Sequence, residues 1–569
     1  MTSTPTPTRN RGLAMRPGGF NHLSHALDYA AQGQTGINFH DARGNLVHAL
    51  GYAQLRERAL SMAARLQQMG IAPGERIAVI ATTSPAFLAL FYATQYIGVV
   101  PCPLPFNALP GGRAAYAAQL AALLSATGAH WLFSPLGTLA CAEDAARGKA
   151  RLQPLEELYE DCTACTALPR RIIDADIPAY VQFSSGSTAA PKGVVVRQQA
   201  LMANADAIAL HGLRLHEDDR ACSWLPLYHD MGLVGFSVVP VCSQRSVDYL
   251  PPHVFAARPT AWLELMSQRR TSIVFAPSFA WQLAARRCSP QAGLDLGNLR
   301  VAGVGGDHVR ASDLDAFAQA LAPAGFRRSA FLPSYGLAEA TLAVCMADID
   351  TPPRIDPQPP STAAETTLIG RCLVGCGRPL PGTELQVRGP TKLPLPDGCI
   401  GQLWIRGPGV MHRYLHADTQ APLPDADGFL DTGDLGYLRD GELFVTGRAK
   451  ELIVIRGRNL WPQDIEAAAA HAAGLDPADL AAVAIEHDVQ EALAVLVQCS
   501  ADEQRRQHIT ERIVETIAIT FGVQCDVVLL PPRSLPYTTS GKLARNRAKA
   551  LCRAGRWKWI INSETEDIT

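Results

Sequence analysis

Residues 76 to 106, RIAVIATTSPAFLALFYATQYIGVVPCPLPF, form the most apolar stretch of the chain. An uninterrupted apolar run of this length would cross a membrane. This one is broken by Thr, Ser, Gln, Gly and several prolines, which excludes a span. It resolves instead into a strand (76–81), a helix opened by Ser84-Pro85 (85–96) and a second strand (98–104). Two apolar strands joined by a helix make a βαβ unit, and such a unit requires a parallel sheet covered by helices. The α/β class follows from this stretch alone. Upstream, Leu55, Ala59, Met62, Leu66 and Met69 recur at helical spacing and run into the turn and strand of GIAPGERIAVI. Further strands are expected at 272–275, 300–304 and 481–485.

At 569 residues the chain is too long for one core. A second boundary is expected near TGRAKELIVIRGRN, after which an Ala-rich helical segment restarts the pattern. The expected division is a flexible tail over 1–19, a large domain over 20–448 and a small one over 449–569, with a hinge near Lys450. Within the large domain the Pro-rich, polar interval 348–367 is expected to be a long loop or insertion without regular structure. No period of 20 to 50 residues repeats, which excludes a solenoid. A net charge of −2 argues against bulk attraction to nucleic acid or membranes. The polar N-terminus has no apolar signal core. Fourteen scattered cysteines suit a reducing, cytoplasmic setting. Cys162-x-x-Cys165 lacks the second ligand pair that structural zinc needs.

The chemistry begins at YVQFSSGSTAAPKGVVV, residues 180–196. It fails the P-loop pattern, because Gly193 follows Lys192 where Ser or Thr should stand and a β-branched run follows instead of a helix. The local picture is strand, hydroxyl-rich turn, strand. Ser184, Ser185, Ser187 and Thr188 offer hydroxyl donors, Gly186 permits close backbone approach, and Lys192 adds charge, a set suited to phosphate. Three more stretches lie in order along the chain: PSYGLAEAT (333–341), GFLDTGDLGYLRDGELFVTGRAKELI (428–453) and LPYTTSGKLARNRAK (535–549).

In this order the motifs resemble the adenylate-forming superfamily of acyl-CoA synthetases, peptide-synthetase adenylation domains and luciferases, from about residue 40 to 549. SWLPLYHDMGLVG (223–235), APSFAWQLA, LVGCGRP and GRNLWPQDIE narrow the resemblance to fatty acyl-AMP ligases. It implies the adenylate-forming fold, a large N-terminal α/β domain with a small mobile α+β C-terminal lid. It also implies ATP and Mg²⁺ as cofactors, and a fatty acid activated as acyl-adenylate with release of pyrophosphate. The acyl group then passes to the phosphopantetheine thiol of an acyl carrier protein, in lipid, polyketide or lipopeptide biosynthesis. Too little chain follows Arg547 for a carrier domain, so the carrier is expected in trans. The insertion at 348–367 occupies the place where these ligases hinder coenzyme A chemistry. An acyl- or aryl-CoA synthetase is the same-class alternative. A non-catalytic acyl-adenylate binder is the different-class one, and it would be expected to have lost Lys542 or Glu339.

The resemblance also assigns roles. Attack of a carboxylate on the α-phosphorus brings two anions together, and Lys542 is the cation placed between them. Glu339, with Thr188, would hold Mg²⁺. Tyr335 offers a face to adenine within Ser334-Tyr335-Gly336-Leu337-Ala338, and Gly305, Gly306 and Asp307 supply the adenine-edge loop. Asp434 and Arg448 serve the ribose. His229 stands by the substrate carboxylate, and Phe275, Phe279 and Trp281 are expected along an acyl tunnel. Three departures stand out from the family pattern: Ser278 for Asn, Trp461 for Tyr, and Asp431 where Arg is common. Finally, eight basic residues and no acidic one lie between Arg533 and Lys558. This basic excess is expected to receive an acidic carrier protein.

Overall fold

The computed structural model describes residues 13–106, 112–161, 171–172, 174–184, 192–288, 293–357, 372–415, 423–455, 458–487, 490–538 and 542–554. Everything said of structure below concerns these residues.

The apolar stretch that excludes a membrane span is a βαβ unit. Strand Arg76–Ile80 pairs in parallel with Val100–Leu104, and helix Pro85–Ile97 crosses between them. Ser84 caps that helix, its hydroxyl accepting from the Phe87 N–H at 3.3 Å, and Pro85 takes the first helical position where no N–H is needed. Every residue from Ala86 to Ile97 is buried, as a helix apolar on all sides must be. Trp131–Ser134 and Arg151–Pro154 extend this sheet to four parallel strands. No helix is long and apolar enough to cross a membrane.

The sheet that matters for the site has nine strands. Phe331–Gly336, Val301–Val304, Ile273–Ala276, Arg220–Ser223, Ser246–Tyr249 and Gly36–His40 lie side by side and parallel. Antiparallel strands close both edges. Their carboxyl ends therefore face one way, and in open α/β sheets ligands collect outside those ends. The hairpin Pro178–Ser184/Lys192–Arg197 and a four-stranded antiparallel sheet (Glu384–Arg388, Gly401–Arg406, Leu430–Arg439, Glu442–Arg448) flank that edge.

The apolar cores divide along the chain. Three clusters draw on residues before 448, and two others draw only on 453–552. The later part is a three-stranded sheet (Leu480–His487, Gln490–Gln498, Cys525–Leu530) packed by helices Pro462–Ala473, Glu503–Phe521 and Arg545–Arg553. A single turn, Ala449–Glu451, joins the two parts.

Two expectations need correction. The flexible tail does not extend to residue 19. The Arg16 N–H donates to Gln244 Oε1 at 2.7 Å, its guanidinium lies 4.3 Å from the Phe20 ring centre, and the Tyr29 hydroxyl donates to the Ala14 carbonyl at 2.9 Å. A cation over an aromatic face with its backbone bonded is an anchor. The Pro-rich interval also contains regular structure, since Ile355–Asp356 pairs antiparallel with Leu373–Val374. Its prolines flank these two residues and so leave them free to pair. The buried Asp356 accepts from the Tyr437 hydroxyl and bonds Arg439 at 2.6 Å, while Arg354 bonds Asp440 at 2.6 Å. The base of the insertion is thus pinned to the hairpin 430–448. Residues 358–367, like Cys162 and Cys165, lie outside the described residues.

Candidate active site

A cavity of about 1330 Å³ opens at the carboxyl ends of the parallel strands. The strand ends deliver the backbone turns that line it. Strand Val301–Val304 runs out into Gly305, Gly306 and Asp307, and Phe331–Gly336 carries Ser334, Tyr335 and Gly336 to the rim. Leu337, Ala338 and Glu339 follow in a short turn and also face the space.

Tyr335 is held from behind. Its hydroxyl donates to Asp434 Oδ2 at 2.7 Å, and Arg448 Nε lies 3.2 Å from Asp434 Oδ1. The pairing of Asp434 with Arg448 is set by the register of strands Leu430–Arg439 and Glu442–Arg448. Burial and the neighbouring Asp434 carboxylate hold the tyrosine proton firmly on. Burial raises Asp434 while Arg448 pulls the other way, and Asp434 in turn raises Arg448 further into the charged form. The result is a fixed aromatic face beside a carboxylate and a guanidinium, the group types that stack on a base and bond a sugar's hydroxyls. Asp431 is turned away from this chemistry. Its carboxylate accepts from the Gly433 N–H at 2.9 Å and so shapes the Thr432–Gly433 turn, which accounts for an acid where the family has Arg.

Glu339 sits across the cavity. Tyr414 donates to its Oε1 at 2.9 Å, and Lys192 Nζ lies 5.6 Å from the Tyr414 ring centre. Charge, ring and carboxylate thus form one line along the cavity wall. No group of three or more His, Cys, Asp or Glu side chains converges as a metal cage among the described residues. One carboxylate with a remaining free oxygen nevertheless fits Mg²⁺, which takes one or two carboxylates and completes its shell with substrate phosphates and water. Ser184 ends its strand opposite Lys192. Ser185, Gly186, Ser187 and Thr188 lie outside the described residues.

His229 and Asp230 start a helical run that passes through a π-helical stretch, Val234–Val238, before ending at Cys242. π-helical stretches cluster at functional sites. The His229 ring stands 4.7 Å from the ring of Tyr228 and faces the cavity. Asp230 and Asp307 are both buried there. Burial raises each, Asp307 to about 6, while the Ser278 N–H bonded to Asp307 at 2.9 Å and the charge of Lys542 work against it.

Lys542 comes from the small domain. Thr538 brackets it, its N–H donating to the Lys542 carbonyl at 2.7 Å and its hydroxyl accepting from the Lys542 N–H at 3.1 Å. The lysine lines the same cavity as Asp230, Asp307 and Asp434, whose carboxyls all feel its charge. Lys450 lines it too, at the turn between the domains.

Beyond His229 the cavity becomes apolar. Phe275 lines this part, its ring lying where a Cβ on Gly303 would sit, so the neighbouring strand needs glycine there. Phe279 faces the cavity near Trp224. Trp281 does not line it. It is fully buried among Trp262, Phe317 and Phe331, with its indole N–H donating to the Ala276 carbonyl at 3.3 Å. A core and a tunnel call for the same aromatic types, so residue type alone misplaces it.

The expected basic face also changes. Arg545 is not offered to a partner. It bonds Glu466 through Nε at 2.8 Å and Nη2 at 2.7 Å, and Glu451 through Nη1 at 2.9 Å. Arg547 and Arg553 are exposed and Lys549 is half-buried, whereas Arg556 and Lys558 lie outside the described residues. Tyr414, Asp230 and Glu451 are site residues that the motifs leave without a role. Asp230 stands next to His229 in a quoted motif, while nothing in the sequence around Tyr414 marks it.

This fold, with a lysine from a small C-terminal domain closing over a nucleotide-sized polar site, defines an adenylate-forming, acid-activating ligase. The chain belongs to the AMP-binding enzyme family, whose model matches residues 35–415. It is 41% identical over 568 residues to a Caulobacter vibrioides protein named "Putative acyl-CoA synthetase", covering 97% of this chain and 98% of that one. It is 31% identical to the medium-chain-fatty-acid–[acyl-carrier-protein] ligase JamA of Moorena producens, covering 88% and 90%. Among solved structures, one from a study of fatty acyl-adenylate ligases of E. coli and L. pneumophila superposes with a TM-score of 0.88. It is 37% identical and covers 95% of this chain and all of its own.

Proposed function

We propose that the protein is a fatty acyl-AMP ligase that transfers its acyl group to the phosphopantetheine thiol of a carrier protein. The observation that carries the reading is the position of Lys542. It stands where a polar half bounded by Tyr335, Asp434 and Glu339 meets an apolar half bounded by Phe275. ATP suits the first half and a fatty acyl chain the second.

In the first step a carboxylate oxygen attacks the α-phosphorus of ATP. The new O–P bond forms as the bond to the pyrophosphate oxygen breaks, and pyrophosphate leaves. Lys542 offsets the two approaching anions, and His229 donates toward the substrate carboxylate. Tyr335, Asp434 and Arg448 hold the nucleoside so that the phosphorus stays in line. Lys192 draws on the outer phosphates. Mg²⁺ held by Glu339 would supply charge neutralisation at those phosphates. In the second step the thiol sulfur attacks the acyl carbon, the C–O bond to phosphate breaks, and AMP leaves.

The carrier-protein ligase and the solved acyl-adenylate ligases among the relatives support a carrier as acceptor. The exposed Arg547 on the helix beside Lys542 fits an acidic partner. The relative named for acyl-CoA synthesis favours a second reading, with coenzyme A as acceptor. A single assay separates them. Enzyme, ATP and fatty acid are offered coenzyme A in one tube and a phosphopantetheinylated carrier in another. Acyl-carrier alone is the expected product, and efficient acyl-CoA formation overturns the reading. Shortening 358–367 should then release some acyl-CoA while leaving pyrophosphate release nearly unchanged.

A further inference from the structure

The apolar half of the cavity ends on charge. One wall is the sheet face, where Ala221, Ile273 and Phe275 are exposed to the space. The other is the helical run, which contributes Gly235, Phe236 and Val239. The walls follow strand Arg220–Ser223 back toward its amino end, about 10 Å away at the usual rise per residue. There the lining changes to Asp219, Arg220, Ser243 and Arg245.

Three of the guanidinium groups at this end are differently engaged. Arg300 bonds Asp219 through Nε at 2.8 Å, and Arg220 bonds Asp248 through Nη2 at 3.0 Å. Arg245 has only carbonyls. Its Nε donates to Ser243 at 3.0 Å and its Nη1 to His216 at 3.3 Å and to Glu217, and among the described residues no acceptor meets Nη2. The residue is 3% exposed. Its backbone is fixed as well, since the buried Tyr52 hydroxyl donates to its carbonyl at 2.7 Å. Asp219, Glu217 and Asp218 act on it through space, while burial weighs against its charge. A buried guanidinium with an unsatisfied N–H arm is costly to keep in a folded chain. An apolar residue would close a plain alkyl tunnel without that cost.

We propose that Arg245 recognises a polar group at the far end of the acyl substrate, an ω-hydroxyl or an ω-carboxylate whose oxygen accepts from Nη2. The inference rests on the reading that the acid binds with its reacting carboxylate near His229 and Lys542. A site built to bond an oxygen rejects the analogue that lacks it far more strongly than an apolar pocket rejects an extra methylene. The plain fatty acid is therefore the poorer substrate once the chain is long enough to reach Arg245.

The test uses the full chain and three acid series matched in length: plain, ω-hydroxy and ω-carboxy. Pyrophosphate release measures activation, and the thermal shift on adding each acid measures binding without turnover. At one chain length the wild type should favour one polar series over the plain one by about tenfold or more in kcat/KM, with a larger thermal shift. The preferred series identifies the terminal group. Arg245→Met should erase the preference while still activating the plain acid, and Arg245→Lys should restore part of it. Should the methionine variant not fold, the wild-type series decides alone. Equal or better use of plain acids at every length overturns the role of Arg245 and leaves the ligase reading standing. A polar-end preference in binding with no pyrophosphate release supports Arg245 and overturns that reading instead.

Discussion

Asp307 carries a pH signature that can be measured without any substrate. Its carboxyl is lifted by burial from 3.8 to about 6. Between those values the folded chain holds a proton that the unfolded chain has lost, so ligand-free stability falls as pH rises through that window. Asp307→Asn keeps an acceptor for the Ser278 N–H and removes the titration. The variant's Tm should gain on the wild type as pH climbs from about 4 to above 6. A difference that stays flat over that range would mean the carboxyl is not lifted. Lys542→Ala probes the chemistry instead. Loss of one preorganised charge contact costs about 3 kcal/mol or more, so fatty-acid-dependent pyrophosphate exchange should drop at least ~100-fold. Retention of a third of the activity would remove Lys542 from the reaction. These residues were legible in sequence because phosphate, ribose and carboxylate chemistry demand particular side chains in a particular order. Trp281 was not, since an indole in a core and an indole in a tunnel look alike. The partners of Arg545 were not legible either. Its carboxylates come from 451 and 466, positions that only the folded small domain brings near.

The elements were read best where local pattern and tertiary demand agree. The strand–helix–strand of 76–104 is one case, because its all-apolar helix could only be interior. The strand at Ile355–Asp356 escaped notice, because two residues carry no periodicity and their pairing is decided by Tyr437 and Arg439 far along the chain. Helix Arg545–Arg553 divides its basic residues between two duties. Its first arginine ties the lid to the hinge turn through Glu451 and Glu466, and a buried pair of this kind costs about 3–5 kcal/mol when one partner is removed. Charge reversal at position 545 would therefore unsettle the domain before it touched any partner. Arg547→Glu with Lys549→Glu is the cleaner probe of docking. This pair should raise the KM for carrier protein and flatten its dependence on salt, with pyrophosphate exchange little changed. Carrier transfer that is unaltered at low ionic strength would reduce this helix face to solvated charge.

Across the whole molecule, the two parts touch at few recorded polar points beside the cavity. One is the ion pair between Arg286 of the large domain and Asp476 of the small one. Half-exposed pairs contribute about 0–1 kcal/mol, weak enough for a lid that must move to admit a thiol. A second point of contact is apolar. The ring of Trp461, at the head of helix Pro462–Ala473, lies so close to Gly447 that no larger residue fits there. Gly447 belongs to the last strand of the large domain, and the hinge turn lies between the two. The indole is 4% exposed in this arrangement. Any rotation about Lys450 that lifts the small domain draws it off the strand and into water. The enzyme therefore carries its own optical gauge of lid position. Mixing with a carrier or a thiol acceptor after acyl-adenylate has formed should shift tryptophan emission to the red. Trp461→Phe should abolish that transient while the other indoles remain silent, and an emission trace unchanged by the substitution would mean the lid turns about some other point.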